Sequence, residues 1–188
     1  MAEFQLIPES PLKGFSKNFG KTTLAEVNGF ALVAIATPLE GERKLKTALK
    51  KHFGCAWPKV GQAALGTDGA AFLRIQNDMG FMRLPYKGDR ADFIVEEKIG
   101  AAAYVTDQGD TWSELELKGP LALDALARLV MLDLSLASYP IGSVTRTLAD
   151  HMGVILYRTG EDTFSMFAPS SFARNFLHAV EVSLEYVS

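Results

Sequence analysis

Asp107 to Pro120 reads DQGDTWSELELKGP, and the way this stretch is parsed sets the class of the fold. Asp107-Gln108-Gly109-Asp110 is a run of turn formers between two strand-like segments, Ala101 to Thr106 and Thr111 to Leu117, which predicts a β-hairpin. Gly119-Pro120 then stops the strand and starts a helix, with proline at the first position where its missing amide costs nothing. Leu123, Leu126, Ala127 and Val130 give that helix an apolar stripe.

Upstream, Phe30 to Thr37 (FALVAIAT) is a compact apolar run ended by Pro38, as a buried strand would be. Gly41 to Phe53 places Leu45, Ala48, Leu49 and Phe53 on one helical face and Arg43, Lys44, Lys46, Lys50 and Lys51 on the other. Strands are predicted over Ala70 to Gln76 and Gly80 to Leu84, with a short helix over Ala91 to Ile99. Downstream, Ser143 to Ala149, Gly153 to Arg158 and Thr163 to Ala168 read as strands. A last helix follows, capped by Ser170 or Ser171, with Phe172, Phe176, Leu177, Val180 and Leu184 along one face. The element order predicts an α+β fold with mostly antiparallel pairing. Aligning Ala71–Pro85 with Ile155–Pro169 matches Arg74 with Arg158, Asp78 with Asp162, Met82 with Met166 and Pro85 with Pro169. The shared order of strand, turn, strand, proline and helix points to two related halves, residues 30–100 and 101–188. Residues 1–29 show no sustained period and read as an extended N-terminal arm, in which Phe4, Leu6, Ile7, Phe15 and Phe19 would be buried on a partner.

Composition narrows the function. The 188 residues are 48% hydrophobic, enough for a substantial core. Nineteen basic and 22 acidic residues give a net charge of −3 without a long run of either sign, which argues against nucleic-acid binding. The N-terminus lacks the pattern of a secretory signal, and no apolar stretch approaches the about 20 residues that span a bilayer, so no membrane is implied. Cys55 is the only cysteine, which excludes an internal disulfide and fits a cytoplasmic protein.

The residues that carry chemistry elsewhere do not assemble into a motif here. GFSKNFGKTT, Gly14 to Thr23, ends like a phosphate-binding loop, but five residues separate Gly14 from Gly20 instead of four, and no strand precedes it. A stand-alone nucleotidase would depend on this loop alone. Asp150 and His151 share the tip of a predicted hairpin, where neighbouring side chains diverge. His178 falls on the polar face of the last helix. His52 and Cys55 supply two ligands where zinc needs three or four, and the negative end of the helix dipole would raise the thiol pKa. Trp57 and Trp112 suit a core or an interface, and the basic face from Arg43 to Lys51 suits solvent or an acidic surface. No residue of the sequence stands out as catalytic, cofactor-binding or metal-binding.

DQGDTWSELELKGP, followed by Leu132-Asp133-Leu134, Gly142-Ser143 with Thr147, and Ser171-Phe172-Ala173, resembles the gamma subunit family of heterotetrameric sarcosine oxidase. Ser10-Pro11-Leu12 and Thr23-Leu24-Ala25-Glu26 extend the resemblance upstream, so it covers nearly the whole chain. Met131, Ser170 and the Gln76–Gly80 turn depart from the family pattern. The resemblance implies two ferredoxin-like halves, with a fold like the folate-binding part of glycine-cleavage aminomethyltransferases. It implies a noncatalytic structural subunit of a complex that demethylates sarcosine to glycine and hydrogen peroxide, with the methyl carbon leaving as formaldehyde or methylene-tetrahydrofolate. The partners would be the alpha, beta and delta subunits, and FAD, FMN, NAD, tetrahydrofolate and zinc would reside in them, with no cofactor in this chain. The alternative is a stand-alone folate-binding module for aminomethyl transfer, which rests on fold analogy.

Overall fold

The computed structural model describes residues 9–188. The chain enters through a hairpin, β1 (Ser16–Phe19) and β2 (Thr22–Val27), turned by Gly20 in the left-handed region at φ 60°. β3 (Phe30–Ala36) leads to α1 (Glu42–Phe53), which ends at Gly54 with φ 68°, a conformation that favours glycine. Three strands follow, β4 (Gln62–Leu65), β5 (Ala71–Arg74) and β6 (Met79–Pro85), then α2 (Ala91–Ile99) and β7 (Tyr104–Asp107). The second course runs β8 (Trp112–Lys118), α3 (Ala122–Ala127), β9 (Val144–Ala149), β10 (Met152–Gly160), β11 (Thr163–Pro169) and α4 (Ala173–Val187).

All pairing is antiparallel, in a five-stranded sheet of order β4-β5-β6-β3-β7 and a six-stranded sheet of order β1-β2-β8-β11-β10-β9. Within the first, β3, β5, β6 and β7 with α1 and α2 make a ferredoxin-like unit. The second repeats it with β8, β10, β11, α3 and α4, except that β2, from earlier in the chain, takes the place equivalent to β7. The internal echo in the sequence is therefore a repeat of structure. Its two arginines do parallel work. Arg74 donates to the Pro58 and Asn77 carbonyls, and the fully buried Arg158 donates to the Leu134, Tyr139, Gly160 and Glu161 carbonyls. Each guanidinium ties the connection between a helix and its next strand to the tip of a hairpin.

The layers are helix, sheet, sheet, helix. Leu45, Leu49 and Phe53 of α1 and Val95 of α2 pack on one face of the five-stranded sheet, against Val33, Ile35 and Met82. Phe176, Val180 and Leu184 of α4 and Ala125 and Leu126 of α3 pack on the six-stranded sheet, against Leu24, Leu115 and Leu117. The other faces meet each other through Leu32, Leu73 and Phe81 on one side and Val144, Ile155 and Phe167 on the other. At 20–33 cal/mol for each Å² of apolar surface removed from water, this three-part core is the main stabilising term.

Several expectations are corrected. The arm over residues 1–29 is not irregular throughout: Ser16 to Val27 forms β1 and β2, and β2 pairs with β8 along Thr23–Val27. Phe19 is buried and Phe15 half-buried in this chain's own core, whereas Phe4, Leu6 and Ile7 lie outside the described residues. Pairing between residues nearly a hundred positions apart leaves no periodic trace in so short a run. The strands on either side of Asp107–Asp110 do not form a hairpin; β7 joins the five-stranded sheet and β8 the six-stranded one, so the DQGD segment is the crossing between sheets. Ala101 and Ala102 belong to a 3-10 turn, as do Ser170 to Phe172, and neither serine caps α4. The short strand β4 was not expected; its Gln62 and Ala63 reach across to Ser143 and Gly142 at the edge of the other sheet.

Candidate functional site

A cleft of about 670 Å³ lies between the two sheets. β3 and β6 line one wall and β8 the other, and the connection Asn28-Gly29 closes the rim. Strand alternation explains its lining. Phe30 and Leu32 on β3, Arg83 on β6, and Trp112 and Glu114 on β8 all point away from the helices. Arg83 Nε donates to Glu114 Oε2 at 2.9 Å, joining the sheets across the cleft. The guanidinium lies 3.5 Å from the Phe30 ring centroid, a cation–π contact. Trp112 stands edge-on to Phe81 with centroids 6.3 Å apart. Its Nε1, and the second carboxylate oxygen of Glu114, are buried without a hydrogen-bond partner among the described residues.

At the rim, Glu26 gathers the Ser10 hydroxyl and the Leu12 and Gly14 amides, so its charge holds the entering chain. Nearby, burial pushes the Tyr157 phenol up; Arg83 opposes that shift and Glu114 adds to it. The cleft thus presents an aromatic wall, a cation fixed to a carboxylate, and two polar atoms without a partner among the described residues.

The residues singled out by sequence fall elsewhere, apart from Trp112. Gly20-Lys21-Thr22 is the turn of a hairpin with no helix after it, and the Thr22 hydroxyl accepts the Leu121 amide at 3.0 Å at the start of α3. Gly119, at φ 127°, packs its Cα against the same turn: a Cβ there would sit 2.6 Å from the Lys21 carbonyl oxygen. The supposed phosphate loop and the Gly-Pro signal thus explain each other. Asp150 and His151 form a tight turn with φ 46° and 69°. The structure brings Asp150 and His178 to one groove between α3 and α4, of about 590 Å³, where Arg128 stacks 4.8 Å from the Tyr186 centroid. Asp150 and His178 share no hydrogen bond or ion pair among the described residues.

His52 is exposed whereas Cys55 is buried. The thiol is pushed up to about 11, chiefly by burial, with a hydrogen bond to the Phe72 backbone opposing; the helix dipole is not the leading cause. Trp57 stacks on Phe72, with Arg74 4.4 Å from its centroid. Arg43, Lys44, Lys50 and Lys51 face solvent, and Lys46 pairs with Glu42. Among the described residues no three or more His, Cys, Asp or Glu side chains group to hold a metal ion. No described helix is long and apolar enough to cross a membrane.

Arg83 and Glu114 carry no signal of their pairing in the sequence. In T-W-S-E-L-E-L, the positions alternating with Ser113, Leu115 and Leu117 look like a solvated face, and nothing local shows that a second sheet covers them.

Two back-to-back ferredoxin-like sheets flanked by helices define the class. The chain has the fold of glycine cleavage system aminomethyltransferase T from Bartonella henselae, with a TM-score of 0.64 and 20% identity over 85% of this chain and 45% of that one. More particularly, it resembles sarcosine oxidase subunit gamma from Arthrobacter sp., at 27% identity over 143 residues, 75% of this chain and 70% of that protein. A chain of the heterotetrameric sarcosine oxidase from Corynebacterium sp. U-96, solved in complex with pyrrole 2-carboxylate, shares the fold with a TM-score of 0.77 and 23% identity, over 88% of this chain and 84% of that one. No family model matches.

Proposed function

We propose that this chain is a gamma-type subunit of a heterotetrameric sarcosine oxidase, supplying surface and architecture to a complex that oxidatively demethylates sarcosine to glycine. The observation that carries this reading is the 27% identity to an Arthrobacter gamma subunit across three quarters of the chain. The cleft supports it, since its charged groups are tied to each other and brace the two sheets. In this reading the partners are the alpha, beta and delta subunits in the cytoplasm, and the flavins, NAD, tetrahydrofolate and zinc belong to them. The test is omission. The complex made with all four chains should produce peroxide from sarcosine, and the complex made without this one should assemble poorly and lose most of that rate. The isolated chain should produce none. Full activity and assembly in its absence would overturn the reading.

A second reading is favoured by one observation, the inter-sheet cleft with unpartnered Trp112 Nε1 and Glu114 Oε1. In it the chain binds a folate-type ligand by itself, as the shared fold with an aminomethyltransferase suggests. Titration calorimetry with tetrahydrofolate separates the two: micromolar binding that is lost in Glu114→Gln supports it, and no heat at saturating ligand rejects it.

A further inference from the structure

The internal repeat leaves one place filled in one half and open in the other. Read from the β4 and β9 ends, the sheets run β4-β5-β6-β3-β7 and β9-β10-β11-β8-β2-β1, so every strand of the first has a counterpart and β1 alone has none. β1 covers the outer edge of β2. The outer edge of β7 has no strand beside it among the described residues.

Among the described residues, that edge has unpaired main-chain groups. Gln108 N donates to Leu32 O at 2.9 Å, so in this antiparallel ladder Gln108, Thr106 and Tyr104 turn their amides and carbonyls toward β3. Val105 and Asp107 turn theirs outward. The Asp107 carbonyl accepts the Gln108 side chain, leaving the Val105 amide and carbonyl and the Asp107 amide. The strand carries neither lysine nor proline to blunt the edge, and Tyr104 is 70% exposed.

The flanking helices specify what fits. Ala91, Val95 and Ile99 of α2 are buried with the same spacing as Phe176, Val180 and Leu184 of α4. Glu96 follows Val95 as Glu181 follows Val180. Glu181 holds Lys17 Nζ of β1 at 2.9 Å, and Lys17 in turn lies over the buried Phe19 ring. Glu96 makes no ion pair among the described residues, and the neighbouring Arg90 donates its hydrogen bonds to Asp92.

We propose that the outer edge of β7 accepts an extended strand from a partner subunit, bearing Lys or Arg and an apolar residue two positions on, with its cation held by Glu96. This rests on the subunit reading above. Main-chain bonds to Val105 and Asp107 supply the docking, in the manner of strand addition to an open sheet edge.

The test uses the full chain co-expressed with alpha, beta and delta subunits, and compares amide hydrogen exchange in the isolated chain and the complex. The Val105 and Asp107 amides exchange freely in the first and are protected in the second. Val105→Pro removes an outward amide without touching the β3 ladder, and Glu96→Lys reverses the docking charge. Each variant weakens association by about tenfold or more, while circular dichroism of the isolated chain is unchanged. Unprotected amides in the complex, or wild-type affinity in both variants, would overturn the proposal while leaving the subunit reading intact. Protection already present in the isolated chain, or a homodimer abolished by Val105→Pro, would overturn the proposed occupant. Failure of the wild-type chain to join any complex would sink the subunit reading and this one with it.

Discussion

Replacing Arg158 with alanine tests the internal architecture at its most buried charge. Among the described residues the guanidinium has no carboxylate partner; it donates at 2.7 and 2.8 Å to the buried Leu134 and Tyr139 carbonyls, and also to Gly160 and Glu161. Those bonds anchor the long connection from α3 to β9. Leaving a buried carbonyl without a donor costs about 1–3 kcal/mol, so the two inner ones lose about 2–6 kcal/mol together. Part of this is offset, because burying a cation without a counter-charge is itself unfavourable. A net loss of about 3–4 kcal/mol is expected, a large fraction of the 5–15 kcal/mol typical of a whole domain. Arg74 occupies the equivalent place, but its contacts are partly open to water, and Arg74→Ala should cost about 1 kcal/mol. Urea unfolding followed by circular dichroism reads both variants; at a slope of about 2 kcal/mol per molar, the Arg158→Ala midpoint falls by about 1.5–2 M. Arg158→Lys should recover only part of the loss, since an ammonium lacks the planar fork. Arg158 is no such brace if Arg158→Ala unfolds within about 1 kcal/mol of wild type, or if Arg74→Ala costs as much.

Other expectations follow from the same structure. Glu114→Ala strands Arg83 between the sheets and should destabilise by about 2–4 kcal/mol, whereas the double change Arg83→Met with Glu114→Leu should lie near wild type, a contrast that a thermal-unfolding cycle reads directly. Cys55, with its folded thiol near 11, stays protonated where the unfolded thiol ionises. Its contribution is thus intact below the unfolded pKa of about 8.5 and is lost as pH rises toward the folded one; Cys55→Ala should flatten the decline in stability between these values, and a thiol reagent at pH 8 should label the wild type only on unfolding. Gly119→Ala forces a Cβ to within 2.6 Å of the Lys21 carbonyl and should cost more than about 2 kcal/mol, against about 1 kcal/mol for Gly100→Ala, where the space is open; denaturation midpoints compare them.

The sequence was most legible where structure is local. The stripes of α1 and α4 and the β5–β6 and β10–β11 hairpins stand within a few residues of where periodicity placed them, because each pattern lies inside one element. The internal echo was visible through Arg74 and Arg158, whose role as backbone braces needs the folded chain to be seen. What escaped was pairing over distance. T-T-L-A-E-V carries an alternation too short to distinguish from an arm, and only the edge of β8, some ninety residues later, makes it a strand. DQGD has the chemistry of a hairpin turn, yet it crosses from one sheet to the other, because β7 finds β3 and β8 finds β2 and β11. The cleft was illegible for the same reason: Glu114 and Arg83 become a pair only when two sheets meet.

Native mass spectrometry decides whether this chain joins a larger enzyme. The full chain, co-expressed with tagged alpha, beta and delta subunits and analysed by native mass spectrometry, should appear once in a complex containing one copy of each. A tagged complex of the other three, with this chain recovered apart from them as a free monomer, would mean that it is not a subunit of that enzyme.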